Sequence, residues 1–293
     1  MAVDPAKIEN MLTNVEELPT LPSIIGRLIE LLNDERSQAK QIAELISSDQ
    51  ALSAKVLKIV NSPLYGVSKK IGTISQAVVI LGYSTVRSVV LSTSVIETFT
   101  RKDIHEGYFN ASEFWTHAIG TAAASRAFAR TYEVGRVDDA FTAGLLHGVG
   151  LLVLDQYLPD VMAQIQELVE LEDLPLVEAE EEVMGMNHAR VAARLLEEWK
   201  LPEIIVKAVA NHIHVDNCPD DPQLASCVHL GDIFTRALGY GSAGEPTVPA
   251  INSAALMALG IDHTAFPVLI EPVDRDIQKA SVLLEFARAG ASA

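Results

Sequence analysis

Leu21-Pro22-Ser23-Ile24-Ile25-Gly26-Arg27-Leu28-Ile29-Glu30-Leu31-Leu32 decides the class of fold. Leu21, Ile24, Ile25, Leu28, Ile29 and Leu32 recur at spacings of three and four, which is one face of an α-helix. Pro22 stands where such a helix opens, because a first-turn N–H has no intrahelical partner to lose. The same period continues downstream. Ser37 can cap a helix carrying Ile42, Leu45 and Ile46, and Ser48 or Asp49 can cap the next, with Leu52, Val56, Leu57 and Val60 inward. Asn61-Ser62-Pro63 stops that helix, since proline lacks an N–H and disfavours helix in the residue before it.

Beyond a polar stretch from Thr100 to Asn110, taken as an internal boundary, the spacing predicts helices over 112–130, 138–157, 160–171, 176–184, 187–199, 202–212 and 222–238. Gly239 to Pro249 is a Gly-, Ser- and Pro-rich loop, and two further helices are expected over 251–259 and 272–288. No alternating run supports a strand, so the expected class is all-α. Glu178 to Glu182 reads as a solvated acidic helix face.

Composition narrows the function classes. Of 293 residues, 49% are apolar and 21% charged, which excludes a disordered chain. Lys and Arg number 22 against 39 Asp and Glu, a formal charge of -17, so nucleic acid and anionic membrane surfaces are disfavoured partners. Cys218 and Cys227, nine positions apart, match neither a disulfide framework nor a zinc pattern. Met1 to Pro5 lack the basic and apolar regions of a signal peptide, and the apolar stretch 77–99 carries too many polar residues for a bilayer span. The expected location is the cytoplasm.

Five groups fall on helix faces that the spacing buries: His117 with Phe114, Thr121, Ala124 and Phe128; His147 after the small stripe Ala140, Ala143, Gly144; His188 with Val191, Ala192, Leu195 and Trp199; His212 with Ile205, Ala208 and Val209; and Asp232 with Val228. A buried imidazole or carboxylate is costly unless hydrogen-bonded, paired or metal-bound. Helices that each deliver one such group to a shared interior are how bundles build metal sites, and imidazole with carboxylate suits Fe, Mn, Ni or Zn better than Ca. Each histidine alone is more often the pattern of a satisfied core residue than of a ligand, and Asp232 could simply pair with Arg236 one turn on. Asn61-Ser62-Pro63-Leu64-Tyr65-Gly66 reads as turn chemistry, with a binding surface as the alternative. No phosphate loop or nucleophile elbow is present.

Several ordered blocks resemble the HDOD family, bacterial signalling domains related to HD-superfamily metal-dependent phosphohydrolases. They are Leu18-Pro19-Thr20-Leu21-Pro22, Ser48-Asp49-Gln50-Ala51-Leu52, Val56 to Ser62, Ile74 to Gly82, Phe114-Trp115-Thr116-His117, Ala143 to His147, Asn187-His188-Ala189 and Leu195 to Pro202. The resemblance runs from about Leu18 to Leu238. It implies a multi-helix HD-like bundle with a lead-in over 1–17, a first helical part over 18–105, a second over 106–240 carrying the His/Asp set, and a helical extension over 241–293.

Active HD enzymes show a histidine, a His-Asp pair, a distant aspartate and, in dinuclear members, two more histidines. By resemblance the first histidine is His117, that of the pair His147, the additional ones His188 and His212, and the last aspartate Asp232. This chain departs at the pair, which reads His147-Gly148, and Leu151 stands where the enzymes often carry lysine. After His212 the text Ile213-His214-Val215-Asp216 lacks the Gly-Tyr-Pro block of cyclic-di-GMP-hydrolysing relatives. The resulting expectation is a non-catalytic output module acting on protein partners, whose residual site holds one or two transition-metal ions. A divergent phosphohydrolase acting on a nucleotide or phosphoester is the alternative, and a metal- or ligand-binding sensor is a third. No length remains for a fused receiver or cyclase, so input is expected from another molecule.

Overall fold

Apolar side chains at helical spacing become helices, in a computed structural model that describes residues 19–33, 38–100, 108–245, 247–285 and 287. In chain order they are α1 (Ser23–Asn33), α2 (Ala39–Ser47), α3 (Gln50–Val60), α4 (Ile74–Leu81), α5 (Tyr83–Phe99), α6 (Ala111–Thr131), α7 (Val137–Leu146), α8 (Val149–Tyr157), α9 (Pro159–Leu171), α10 (Leu176–Met184), α11 (His188–Glu198), α12 (Glu203–Asn211), α13 (Pro222–Ala237), α14 (Ser253–Leu259) and α15 (Phe266–Ala280). Two short 3₁₀ turns lie between helices and a third follows α15, and no strand occurs among the described residues. The all-α expectation holds.

Local chemistry accounts for the ends. Asp49, Thr73, Asn110, Asn187 and Asn252 each cap a helix by accepting a backbone N–H with the side chain. Ser37, the expected cap of α2, lies outside the described residues; the capping position is Gln38, which forms a capping box with Gln41. The boundary expected over 100–110 also falls largely outside them, since 101–107 are not described. Asn61 stops α3 and ties it down: its amide donates to Leu57 O at 2.7 Å and Ile71 O at 2.9 Å, and its carbonyl accepts from Ile71 N at 2.7 Å. That is a structural use of the turn motif.

Two helices differ from expectation. The span 138–157 is two helices, parted at His147-Gly148, where Leu151 N bonds back to Gly148 O in a tight three-residue step. The apolar period runs straight through the break, which is why spacing alone does not show it. The last long helix begins at Phe266, so Pro272 lies inside it. A proline there frees the carbonyl four residues back, that of Val268, which is exposed and can be solvated.

Among the described residues a large core runs from Ile25, Leu28 and Ile29 on α1 to Val273 and Ile277 on α15, with a small second cluster of Val215, Ala225 and Ala255. Helices α5 and α6 are buried almost all round, as central helices must be. Helix α5 collects α1, α3 and α4, then meets α7 through Arg87–Asp139, Thr85–Asp138 and Ser88–Thr142 bonds. Helix α6 lies between α7 and α13, with α15 across it. The residues 137–157 form the one described stretch apolar and long enough to cross a membrane, and 83% of its window is buried inside the protein.

The approach of α6 to its neighbours rests on glycine. A Cβ added at Gly144 on α7 would lie 2.8 Å from Ala122 Cα and 2.9 Å from Thr121 O, and one at Gly231 on α13 would lie 2.9 Å from Ser125 N. Between α8 and α11 the fit is tighter still, because a Cβ at Gly150 would fall 2.0 Å from His188 O. Gly150→Ala should therefore force two helix backbones apart and lower unfolding stability by about 3 kcal/mol, at the upper end of ordinary overpacking costs. Urea unfolding measures it; an unchanged midpoint would contradict the close approach.

Candidate metal centre

Helices α6, α7 and α13 each bring one polar group to the same point. His117 comes from the second turn of α6, His147 from the end of α7 and Asp232 from the middle of α13. His117 Nε2 lies 2.9 Å from Asp232 Oδ1 and 3.2 Å from His147 Nε2, and His147 Nε2 lies 3.8 Å from that same oxygen. All three residues are buried, and their ligand atoms lie within 4.8 Å of one another.

Hydrogen bonds set the tautomers. His147 Nδ1 lies 2.7 Å from Gly144 O, three residues back, so Nδ1 carries the proton and Nε2 keeps its lone pair. The proton shared among the three groups then sits on His117 Nε2, donated to Asp232. His117 Nδ1 is left buried with no hydrogen-bond partner. Burial pushes the His147 imidazolium well below its usual range, against the attraction of Asp232, so the ring is neutral. Burial alone would raise Asp232, but the Arg236 guanidinium, then His117, hold it well below the usual carboxylate range. Arg236 Nε donates to Asp232 Oδ1 at 2.8 Å, and its Nη1 to Glu245 Oε2 at 2.8 Å.

His212 and His188 extend this centre as a row. The His147 and His212 rings meet edge-on at 5.2 Å, and His188 stands 5.8 Å from His212. Thus three of the five sequence-predicted groups converge to ligand distance and two line the space beside them. His212 Nδ1 bonds Val209 O at 2.7 Å, again fixing a lone pair on Nε2, and burial lowers its pKa to about 3. His229 is different. Its Nδ1 donates to His212 O and its Nε2 accepts from Asn252 N, so neither nitrogen is free.

Glu180 is the group that the sequence reading missed. It lies fully buried inside the run 178–182, correcting the expectation that the whole run is a solvated face. Its carboxylate takes the His188 backbone N–H at 2.9 Å and contacts His188 Nδ1 at 2.8 Å. The signal was available: Leu176, Ala179, Val183 and Met184 form the inward stripe of α10, and position 180 belongs to it.

The donors present suit a metal ion. Two imidazole nitrogens and a carboxylate oxygen form a three-donor set for a first-row transition ion, and the His147 Nδ1–carbonyl bond is the outer support such ligands use. His117 lacks that support, and Arg236 competes for Asp232. The acid that the HD pattern places after His147 is absent: Gly148 stands there, with the buried Phe114 ring 3.4 Å from where a Cβ would be, an ordinary contact distance.

A helical bundle with a His/His/Asp centre at the junction of three helices defines an HD-like protein. The HDOD domain family matches residues 18–215, and the chain belongs to that family. Over 95% of its length it superposes on 99% of an HDOD domain protein of unknown function from Geobacter sulfurreducens, with a TM-score of 0.74 and 26% identity. A Shewanella amazonensis SB2B structure named "Putative phosphohydrolase" matches 96% of the chain over 98% of its own, with a TM-score of 0.73 and 26% identity. An uncharacterized protein of Treponema pallidum (strain Nichols) is 25% identical over 226 residues, 76% of this chain and 43% of that relative. The chain thus spans less than half of the curated relative it matches.

Metal binding at the His/His/Asp centre should stabilise the native state by mass action. Added Mn²⁺, Ni²⁺ or Zn²⁺ is expected to raise the melting temperature of chelator-treated protein, by the equivalent of about 2.7 kcal/mol at a hundredfold excess over Kd. Asp232→Asn should abolish the rise and His188→Gln should keep it. Loss in both variants would extend the ligand set to His188, and no rise in the unaltered protein would rule the centre out.

Proposed function

We propose that this chain is a non-catalytic signalling or output module that acts through contacts with protein partners, and that its HD-type centre is a relic able to hold a single metal ion. The observation that carries this reading is Gly148. Metal-dependent phosphoester hydrolysis needs a deprotonated water held against an oriented phosphate, and a metal ion when bound would supply the acidity for that water. What this chain provides around the ion is reduced. Position 148 offers no oxygen, and the ring beside it, that of Phe114, is apolar. Leu151, buried, offers no positive charge where the enzymes often place lysine. Asp232, the remaining carboxylate, is already engaged by His117 and Arg236.

The remaining polar groups do structural tasks. His147 and His212 bond carbonyls of their own helices, His229 bridges the His212 carbonyl to the Asn252 N–H, and Glu180 fastens the start of α11. An ion among His117, His147 and Asp232 would tie α6, α7 and α13 together, which suits a domain whose output is the shape of its surface. A cytoplasmic site of action fits the acidic composition.

A phosphohydrolase is the second reading, favoured by the convergence of His117, His147 and Asp232 and by the name of the Shewanella neighbour. Protein purified without an affinity tag separates the two when metal content is measured beside hydrolysis of nucleotides and cyclic dinucleotides. We expect at most one ion per chain and no turnover above background; efficient turnover would overturn the proposal. Gly148→Asp has room for its Cβ at ordinary contact distance from Phe114 and should increase metal occupancy, a gain that a centre lacking this one acid predicts.

A further inference from the structure

Beside the metal centre lies a cavity of about 640 Å³, walled by α10, the Ile213-His214 turn, α13 and the strap that carries Glu245 and Thr247 to Asn252. That is the volume of a small-molecule site. Its charge is the opposite of what a phosphate-binding site needs. Four carboxylates line it, those of Glu178, Glu181, Asp232 and Glu245. Among the described lining residues Arg236 is the one Lys or Arg, and its guanidinium is held by two of those carboxylates, Asp232 and Glu245, at 2.8 Å each. Glu178 and Glu181 are exposed at the mouth, and Glu181 also accepts from Asn187 Nδ2 at 3.0 Å. His214, half-exposed, lies 3.4 Å from the Glu181 carboxylate.

The inner end of the cavity is built to accept hydrogen bonds. His188 and His212 line it and are at least 97% buried. Each has its Nδ1 occupied, by Glu180 and by Val209 O, while its Nε2 has no hydrogen-bond partner among the described residues. Burial keeps the His212 ring neutral, so its Nε2 presents a lone pair at the floor of an acidic cavity and favours an N–H donor over an anion, with the His188 ring beside it. The walls between floor and mouth are apolar, with Val177, Ile213, Val248 and Ile251 among them.

We propose that this cavity binds a small organic cation, an amine or guanidine on an apolar body, with the charged head at the His188 and His212 nitrogens, the body along the apolar walls, and the Glu178 and Glu181 carboxylates at the mouth drawing the cation in. The proposal rests on reading the site as one that binds rather than hydrolyses, and it places phosphoanions outside the ligand class. Carboxylates at the mouth concentrate a cation and repel an anion, and the low-dielectric wall strengthens both effects. The apolar body supplies contact area, and the two ring nitrogens supply direction.

Calorimetric titration of chelator-treated full-length chain tests this with three near-isosteric probes: 2-phenylethylamine, 2-phenylethanol and phenylacetate, with AMP and inorganic phosphate as anionic controls. The amine is expected to bind at one site, at least about tenfold more tightly than the alcohol, with phenylacetate, AMP and phosphate weaker still. Glu178→Gln/Glu181→Gln, altered only at the exposed mouth, should lose about tenfold of that affinity. Tighter binding of AMP or phosphate would overturn the proposal, as would amine binding unchanged in the double variant, which would mark attraction to the acidic surface at large. The two readings fail separately: a hydrolytic chain that binds the amine refutes only the non-catalytic one, and a silent chain that ignores the amine refutes only this one.

Discussion

Ser125 of α6 is clamped between two glycines, Gly144 of α7 and Gly231 of α13, each near enough that a methyl group would strike its hydroxyl. This double approach is the constraint on which the rest depends. With side chains removed from the contact, the axes of three helices close to backbone distance, and groups on their inner faces meet without reaching. His117 lies two turns before Ser125, His147 three residues after Gly144, and Asp232 immediately after Gly231. The polar centre is thus a consequence of where the chain is smallest. A methyl at either glycine would press the helices apart by a large fraction of an ångström, a serious error for a site whose positioning tolerates about half an ångström.

Such closeness demands that every buried polar atom find a partner nearby, and the chain meets the demand with its own backbone. His147 and His212 sit where their helices end and turn back to bond carbonyls three residues earlier, which would otherwise be unmatched helix-terminal acceptors. One bond then does two things: it caps a helix, and it fixes a lone pair on the outward nitrogen. His229 shows the contrast, since with both nitrogens used it can take no part in binding. Glu180 extends the logic to a charge, because its burial is tolerable only through the paired bonds it makes to the first residue of α11.

How much of this the sequence disclosed depends on the range of the interaction. Spacing revealed the helices because burial of one face is a local property, and the stripes over 176–184 and 187–199 match α10 and α11 closely. It did not reveal the break at His147-Gly148, where the apolar face continues across a change of backbone path. The histidines could be named as buried from their neighbours, yet nothing local told His117 and His147, which meet Asp232, from His188 and His212, which stand beside it. Glu180 was hidden by its acidic surroundings, although the stripe of α10 marked its position as inward. Arg236 was visible as a partner of Asp232 one turn away; that Glu245, in the loop beyond, shares it is a tertiary fact.

The glycine at 148 and the arginine at 236 belong to one electrostatic arrangement. Two carboxylates buried side by side among neutral imidazoles would repel each other unless a cation lay between them. Here only Asp232 remains, and Arg236 supplies a fixed positive charge that Glu245 helps to hold. Asp232, Arg236 and Glu245 form a compact set that needs no external ion to be tolerable, and beside Gly148 the apolar Phe114 ring brings no further charge. A centre so arranged folds on its own charges. Metal then becomes an addition to a finished structure rather than a condition of it, and a site freed from that condition can serve recognition instead of chemistry.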